Sequence, residues 1–251
     1  MNKIILITGA SSGFGKATAR QFASQGWNCI ITARSNEKLE LLAQELTNQF
    51  NVQVLPLTFD VQDKKAVEAQ LGSLPENWRH IDVLVNNAGL ALGRDAFDLA
   101  DMNDWETMID TNLKGLLYVT RAVLPQMKQN KKGHIINIGS TAGVEVYKDG
   151  NVYCATKHAV DAISKSMRID LLSFGIKVTV VHPGAAETQF SVVRFKGNEQ
   201  KAAAVYEGYQ PLKAEDIADI IYYAVNLPEH VCINELVVTC KAQANSFYLH
   251  K

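Results

Sequence analysis

The sequence has no CxxC pair, no HExxH and no cluster in which cysteine and histidine fall at metal-ligand spacing. Its four cysteines (Cys29, Cys154, Cys232 and Cys240) are widely scattered, so a disulfide framework and a cysteine-based structural zinc both find little support, and reduced thiols used as small packing residues are the expectation. No metal is expected. There is no charge of one sign to speak of: 25 basic against 26 acidic residues give a formal net charge of -1, and the two signs are interspersed. That balance offers no electrostatic footprint for nucleic acid or for an anionic membrane surface. Long apolar runs are missing too, so no segment reads as a bilayer span, and the N-terminal MNKIILITGASSGFG lacks a signal-peptide cleavage pattern. A cytoplasmic location is the expectation. Repeats, low-complexity tracts and Pro/Gly/Ser linkers are absent as well, which leaves a single domain over residues 1–251.

What is present is a regular alternation. Short apolar runs (KIILIT, WNCIIT, VQVLPLTF, IDVLVNN, GHIINIGS, IKVTVVHP, NELVVT) are separated by segments of helical period, among them one around Asp104 to Lys128. This is the pattern of a doubly wound α/β fold, a Rossmann-type parallel sheet of about seven strands with helices on both faces. Apolar residues make up 47% of the chain, enough for a large buried core. The pattern weakens from Ala185 to Gln210, and a long connection of this kind in a compact domain reads as a lid of about 185–210.

After the first run comes TGASSGFG, with Gly9, Gly13 and Gly15. Glycines between a strand and a helix permit a tight turn and close approach of the backbone to a phosphate, and the helix N-terminus adds free amides and the positive end of its dipole. The spacing is G-x-x-x-G-x-G, not the common dinucleotide G-x-G-x-x-G. The second run ends at Ala33-Arg34, where an acidic residue would suit free ribose hydroxyls and a cation suits a 2′-phosphate; with Lys38 one turn on, this favours NADP over NAD. Asp60-Val61 after the third run and NNAG (Asn86 to Gly89) after the fourth fall at the same strand ends, where open α/β sheets bind ligands.

NVYCATK places Tyr153 four residues ahead of Lys157 in one long helical pattern, so the two share a face. Tyr209 and Lys213 have the same spacing but straddle Pro211, which obstructs a continuous helix. A tyrosine of ordinary pKa near 10 is a poor base at neutrality, and an ammonium about 4 Å away would favour its phenolate. His158 and Cys154 point elsewhere around the helix, and Met108, Met127, Trp105 and Tyr118 read as core or subunit contacts.

TGASSGFG, Asp60-Val61, NNAG, Asn112, Ser140 and Tyr153-x-x-x-Lys157 together resemble the short-chain dehydrogenase/reductases over the whole chain. The resemblance implies a catalytic set of Ser140, Tyr153 and Lys157, with Asn112 completing a proton relay. It also implies a cofactor held by Gly9, Ser11, Ser12, Gly13, Phe14, Gly15, Arg34, Asp60, Val61, Asn87, Ala88 and Gly89. Tyr153, Lys157, Pro183, Gly184 and Thr188 join them near the nicotinamide. Longer words such as LVNNAGLALG, DWETMIDTN, KGLLYVTRAVLP and VRFKG resemble the NADP-dependent 3-hydroxy acid dehydrogenase branch, whose members oxidise serine, L-allo-threonine and similar acids. AAETQF, after Pro183-Gly184, departs from that branch in length and in lacking its glycines. A substrate carboxylate would need a cation: Arg194 and Lys196 in the lid and Arg94 after NNAG are the candidates, with Ser140 and Tyr153 at the substrate oxygen. Two readings stand beside this one, a reductase of 3-oxoacyl or other carbonyl compounds and a non-catalytic nucleotide sensor. The resemblance further implies a homotetramer joined through the helices of Asn112 and Tyr153, and through the tail QANSFYLHK.

Overall fold

A computed structural model describes residues 2–251. Seven parallel strands form one sheet: β1 (Ile4–Thr8), β2 (Asn28–Ala33), β3 (Val54–Thr58), β4 (Val83–Asn86), β5 (Gly133–Ile138), β6 (Ile176–Pro183) and β7 (Glu235–Val238). Their order is β3-β2-β1-β4-β5-β6-β7, so the chain reverses its direction of travel between β1 and β4. Ligand crevices of doubly wound sheets open at that reversal, beyond the carboxyl ends of the strands.

β1 shows why a continuous apolar run becomes a central strand. Side chains alternate between faces, so Ile5 and Ile7 enter one core with Phe22, Leu39 and Ile221, while Ile4 and Leu6 enter the other with Leu84, Val119 and Met127. The first core lies under α1 (Gly13–Ser24), α2 (Asn36–Phe50) and α9 (Ala214–Val225). The second lies under α3 (Lys64–Gly72) and α5 (Leu116–Asn130). Pro56 is tolerated because β3 is an edge strand, where a missing N–H need not break a ladder. All four cysteines are free, three of them buried. Among the described residues, no helix is long and apolar enough to cross a membrane.

The segment around Asp104 to Lys128 is helical throughout but not uniform: α4 (Met102–Ile109) passes into a π-helical turn, Asp110–Gly115, and on into α5. Gly115 in this turn packs on Val61, and a Cβ there would lie 2.7 Å from Val61 Cγ2. Such π turns concentrate at functional sites, and this one carries Asn112. The lid is also more ordered than its composition implies. It holds α7 (Gln189–Arg194) and α8 (Glu199–Ala204), capped by the side chains of Thr188 and Asn198. Helices this short contribute too little periodicity to read from sequence.

Candidate active site

At the carboxyl ends of the strands lies a cleft of about 600 Å³. One wall is the glycine turn. Gly9 and Gly13 take positive φ of 67° and 51°, and a Cβ on Gly15 would lie 2.5 Å from both Asn87 Nδ2 and Gly9 O. Only glycine fits these positions. Ser12 is the N-cap of α1 yet makes no side-chain cap bond, so the first-turn amides of α1 are not taken up by their own cap. That arrangement suits a pyrophosphate. Arg34, Ser35 and Lys38 line the far end, with the exposed Arg34 guanidinium 3.9 Å from Asp60. A cation pair at this edge fits a 2′-phosphate. Val61, Asn87 to Gly89, Pro183, Gly184 and Thr188 border the same cleft, with Thr188 against Gly13. Gly15 stands behind this surface, where it lets α1 close on Asn87.

The other end holds the chemistry-bearing side chains. α6 (Asn151–Asp170) carries Tyr153 and Lys157 one turn apart, and both line the cleft with Ser140. Ser140 caps the short turn Thr141–Gly143: its Oγ accepts from Ala142 N at 3.1 Å, which leaves the hydroxyl proton free to donate into the cleft. Burial pushes the Tyr153 phenol well above its ordinary pKa, the neighbouring Tyr147 adds to the shift, and Ser140 and Arg194 oppose it. Burial also lowers the Lys157 ammonium to about 8, and its Nζ donates to Ile138 O at 2.8 Å.

Asn112 does not line the cleft. Its Oδ1 accepts from Leu90 N and its Nδ2 donates to Leu90 O, both at 2.8 Å, and Nδ2 also donates to Thr156 Oγ1 at 3.1 Å. The side chain clamps the loop after β4 to α6, so any proton relay at Asn112 runs through its main chain. It lies against Gly89, on the same side as Lys157 Nζ.

Of the three candidate cations, two meet in the cleft. Arg94 and Arg194 both stand over the ring of Tyr147, each 5.7 Å from its centroid, and Arg194 is 5.6 Å from that of Tyr153. Lys196 does not join them, contrary to expectation. It has left-handed φ of 52° just past the end of α7, and its Nζ pairs with Asp104 at 2.9 Å outside the cleft. Asp104 accordingly raises the Lys196 pKa.

Several lining residues carried no sequence signal. Tyr147 is an isolated aromatic in a loop, and Phe190 of α7 covers Tyr153 with ring centroids 5.6 Å apart. Gln243 and Ser246 reach the cleft from the C-terminal tail, where Gln243 Oε1 accepts from Ala185 N at 2.7 Å. That tail folds onto the site, a placement no local pattern encodes.

Residues 3–199 match the short chain dehydrogenase family. An NADP-dependent 3-hydroxy acid dehydrogenase of Salmonella typhi is 50% identical over 232 residues, 92% of each chain. Sulfoacetaldehyde reductase 2 of Chromohalobacter salexigens is 46% identical over 99% of this chain and 98% of its own. Among solved structures, the closed form of a serine dehydrogenase complexed with NADP+ superposes with a TM-score of 0.92 at 45% identity, covering 99% of both chains.

Proposed function

The chain belongs to the short-chain dehydrogenase family, and within it we propose an NADP-dependent oxidoreductase acting at the 3-hydroxyl carbon of a small 3-hydroxy acid. One observation carries the substrate class: two guanidiniums, one from the loop after β4 and one from α7, converge on Tyr147 beside Tyr153, at the opposite end of the cleft from Arg34 and Lys38. A short anionic substrate would bind its carboxylate there and leave its hydroxyl-bearing carbon toward Ser140 and Tyr153. The similarity to enzymes named for 3-hydroxy acids, serine and sulfoacetaldehyde supports a small anionic substrate.

NADP supplies the hydride acceptor, or in its reduced form the donor. The glycine turn and the head of α1 would hold its pyrophosphate, Arg34 and Lys38 its 2′-phosphate, and Pro183, Gly184 and Thr188 its nicotinamide end. The chain's own residues manage the proton. Ser140 donates its hydroxyl hydrogen to the substrate oxygen and fixes its position, and Tyr153 is the acid or base at that oxygen. In carbonyl reduction the protonated Tyr153 gives its phenolic hydrogen to the substrate oxygen. In the oxidative direction Tyr153 acts as the phenolate that takes the hydroxyl proton, and the Lys157 ammonium steadies that phenolate before the transfer. The segment 185–210 acts as a lid, with Phe190 and Arg194 meeting Tyr153 from above.

Assay of the purified protein with NADPH or NADP against 3-hydroxypropionate, L-serine, L-allo-threonine, sulfoacetaldehyde, a 3-oxoacyl ester and a neutral alcohol tests this reading. Turnover should concentrate on the small anions. Preference for the 3-oxoacyl ester would favour the broader carbonyl reductase, and nucleotide binding without turnover a sensor. We also propose a cytoplasmic location and a homotetramer joined through α4, α5 and α6; exposed Met102, Leu117 and Ile169 on those helices support the interface, and sedimentation velocity measures the subunit number.

A further inference from the structure

Behind Ser140, on the side away from the cleft, three side chains from different elements meet. His182 near the end of β6 is fully buried, Asp161 projects from α6, and Glu235 opens β7. Their nearest donor atoms all lie within 4.8 Å of one another. His182 Nε2 is 3.5 Å from Asp161 Oδ1 and 3.6 Å from Glu235 Oε1, longer than an N–H···O hydrogen bond. Both Nε2 and Asp161 Oδ1 are buried without a hydrogen-bond partner.

The other ring nitrogen explains the problem. His182 Nδ1 is 3.0 Å from Ser140 O and 3.3 Å from Ser140 N, and one nitrogen cannot donate to the first while accepting from the second. The shorter contact is to the carbonyl, so Nδ1 carries the hydrogen, and in the neutral ring Nε2 then holds a lone pair. That lone pair then faces two carboxylate oxygens in a buried place. Such convergence is repulsive unless a positive centre lies between them. Lys165 does not supply it. Its Nζ contacts the outer oxygens, Asp161 Oδ2 at 2.7 Å and Glu235 Oε2 at 4.0 Å, and leaves the inner ones to His182.

We propose that Asp161, His182 and Glu235 form a binding site for a divalent transition metal of the zinc class, placed behind Ser140. Imidazole with two carboxylates is a donor set for such ions. In a tetrahedral zinc site with bonds near 2.0–2.2 Å, neighbouring donor atoms stand about 3.3–3.6 Å apart. The two histidine–carboxylate separations, 3.5 and 3.6 Å, have that length already. The third edge closes by rotation of the half-exposed Glu235 carboxylate, with water completing the shell. Lys165 can stay on the outer oxygens and offset part of the negative charge. A metal on Nε2 fixes the Nδ1–H tautomer and its bond to the Ser140 carbonyl. The ring is already packed on Gly139, where a Cβ would lie 2.5 Å from Nδ1. The ion would thus tie together the ends of β5 and β6 that carry Ser140 and Pro183-Gly184, as a positioning device rather than a reactant.

The test uses the full chain, stripped with a chelator and titrated with zinc by calorimetry and with cobalt(II) by visible absorption. The expected result is one ion per chain and cobalt d–d bands of four- or five-coordinate intensity. Glu235→Gln, at an exposed strand start, should weaken binding by at least about tenfold, and His182→Gln should abolish the cobalt bands. Should His182→Gln fail to fold, Glu235→Gln decides alone. Absence of stoichiometric binding, or binding unchanged in Glu235→Gln, overturns the proposal. None of these readings requires substrate or NADP.

Discussion

Gly93 and Arg194 are tied to each other twice. The Gly93 amide donates to the Arg194 carbonyl at 3.0 Å, and Arg194 Nε returns a bond to the Gly93 carbonyl at 3.2 Å. The exchange joins the loop after β4 to α7 and fixes the guanidinium over Tyr147 and Tyr153. Arg94, next in sequence to Gly93, comes to the same ring. Position and charge are thus set together. Arg194→Ala should raise KM for 3-hydroxypropionate by about 10–100-fold while changing that for a neutral alcohol by less than about threefold. Arg94→Ala, which leaves the Gly93 tie intact, should show the same selectivity in the same assay. Equal effects on acid and alcohol would assign both arginines to the lid alone.

Tyr153→Phe keeps the ring that packs on Phe190 and removes only the phenolic hydroxyl, the proposed proton carrier. Steady-state kinetics should show kcat falling by about 10²–10⁴-fold, with the NADP dissociation constant within about threefold of the parent by fluorescence titration. Retained turnover would exclude the phenol as acid or base.

Arg34 is exposed and its nearest carboxylate is 3.9 Å away, so it is held weakly by the protein itself. Its worth should lie in the nucleotide. Replacing it with alanine should raise KM for NADP by at least about tenfold and leave KM for NAD nearly unchanged. Parallel titrations with the two nucleotides measure this, and a uniform loss would move the 2′-phosphate contact elsewhere.

Lys157 gives a pH signature. Its pKa is lowered to about 8 from 10.5 by burial, so between those values the unfolded chain binds more protons than the folded one. Stability contributed by this group therefore rises as pH climbs from about 8 to 10.5, and below about 8 the buried charge carries its full cost. Lys157→Met removes that cost and also the bond to Ile138 O. The variant should be inactive, yet more stable than the parent at pH 7 by about 2 kcal/mol, with the gain fading toward pH 10. Denaturant unfolding of the cofactor-free protein at both pH values checks the sign.

Much of the molecule was legible without coordinates because its signals are local. Apolar runs such as IILIT and GHIINI had to be central strands, and Gly9, Gly13 and Gly15 had to turn between β1 and α1. Tyr153 and Lys157 needed only helical spacing to share a face. Lys196 shows the limit. In sequence it equals Arg194 as a candidate cation, but one left-handed residue past the end of α7 turns it to Asp104. Asn112 is a second case: its identity was readable, but not the three hydrogen bonds that lock its amide inside a π turn.

The amino-acid order by itself determined the sheet, the glycine cradle and the tyrosine–lysine pair, since each follows from periodicity, backbone freedom or spacing within a few residues. Tertiary structure alone decided which charges face the cleft, how Gln243 and Ser246 of the tail close it, and where His182 meets Asp161 and Glu235. Those outcomes depend on burial and on contacts between segments far apart in the chain. A side chain's field and hydration are set by its neighbours in space, and only the folded protein brings them together.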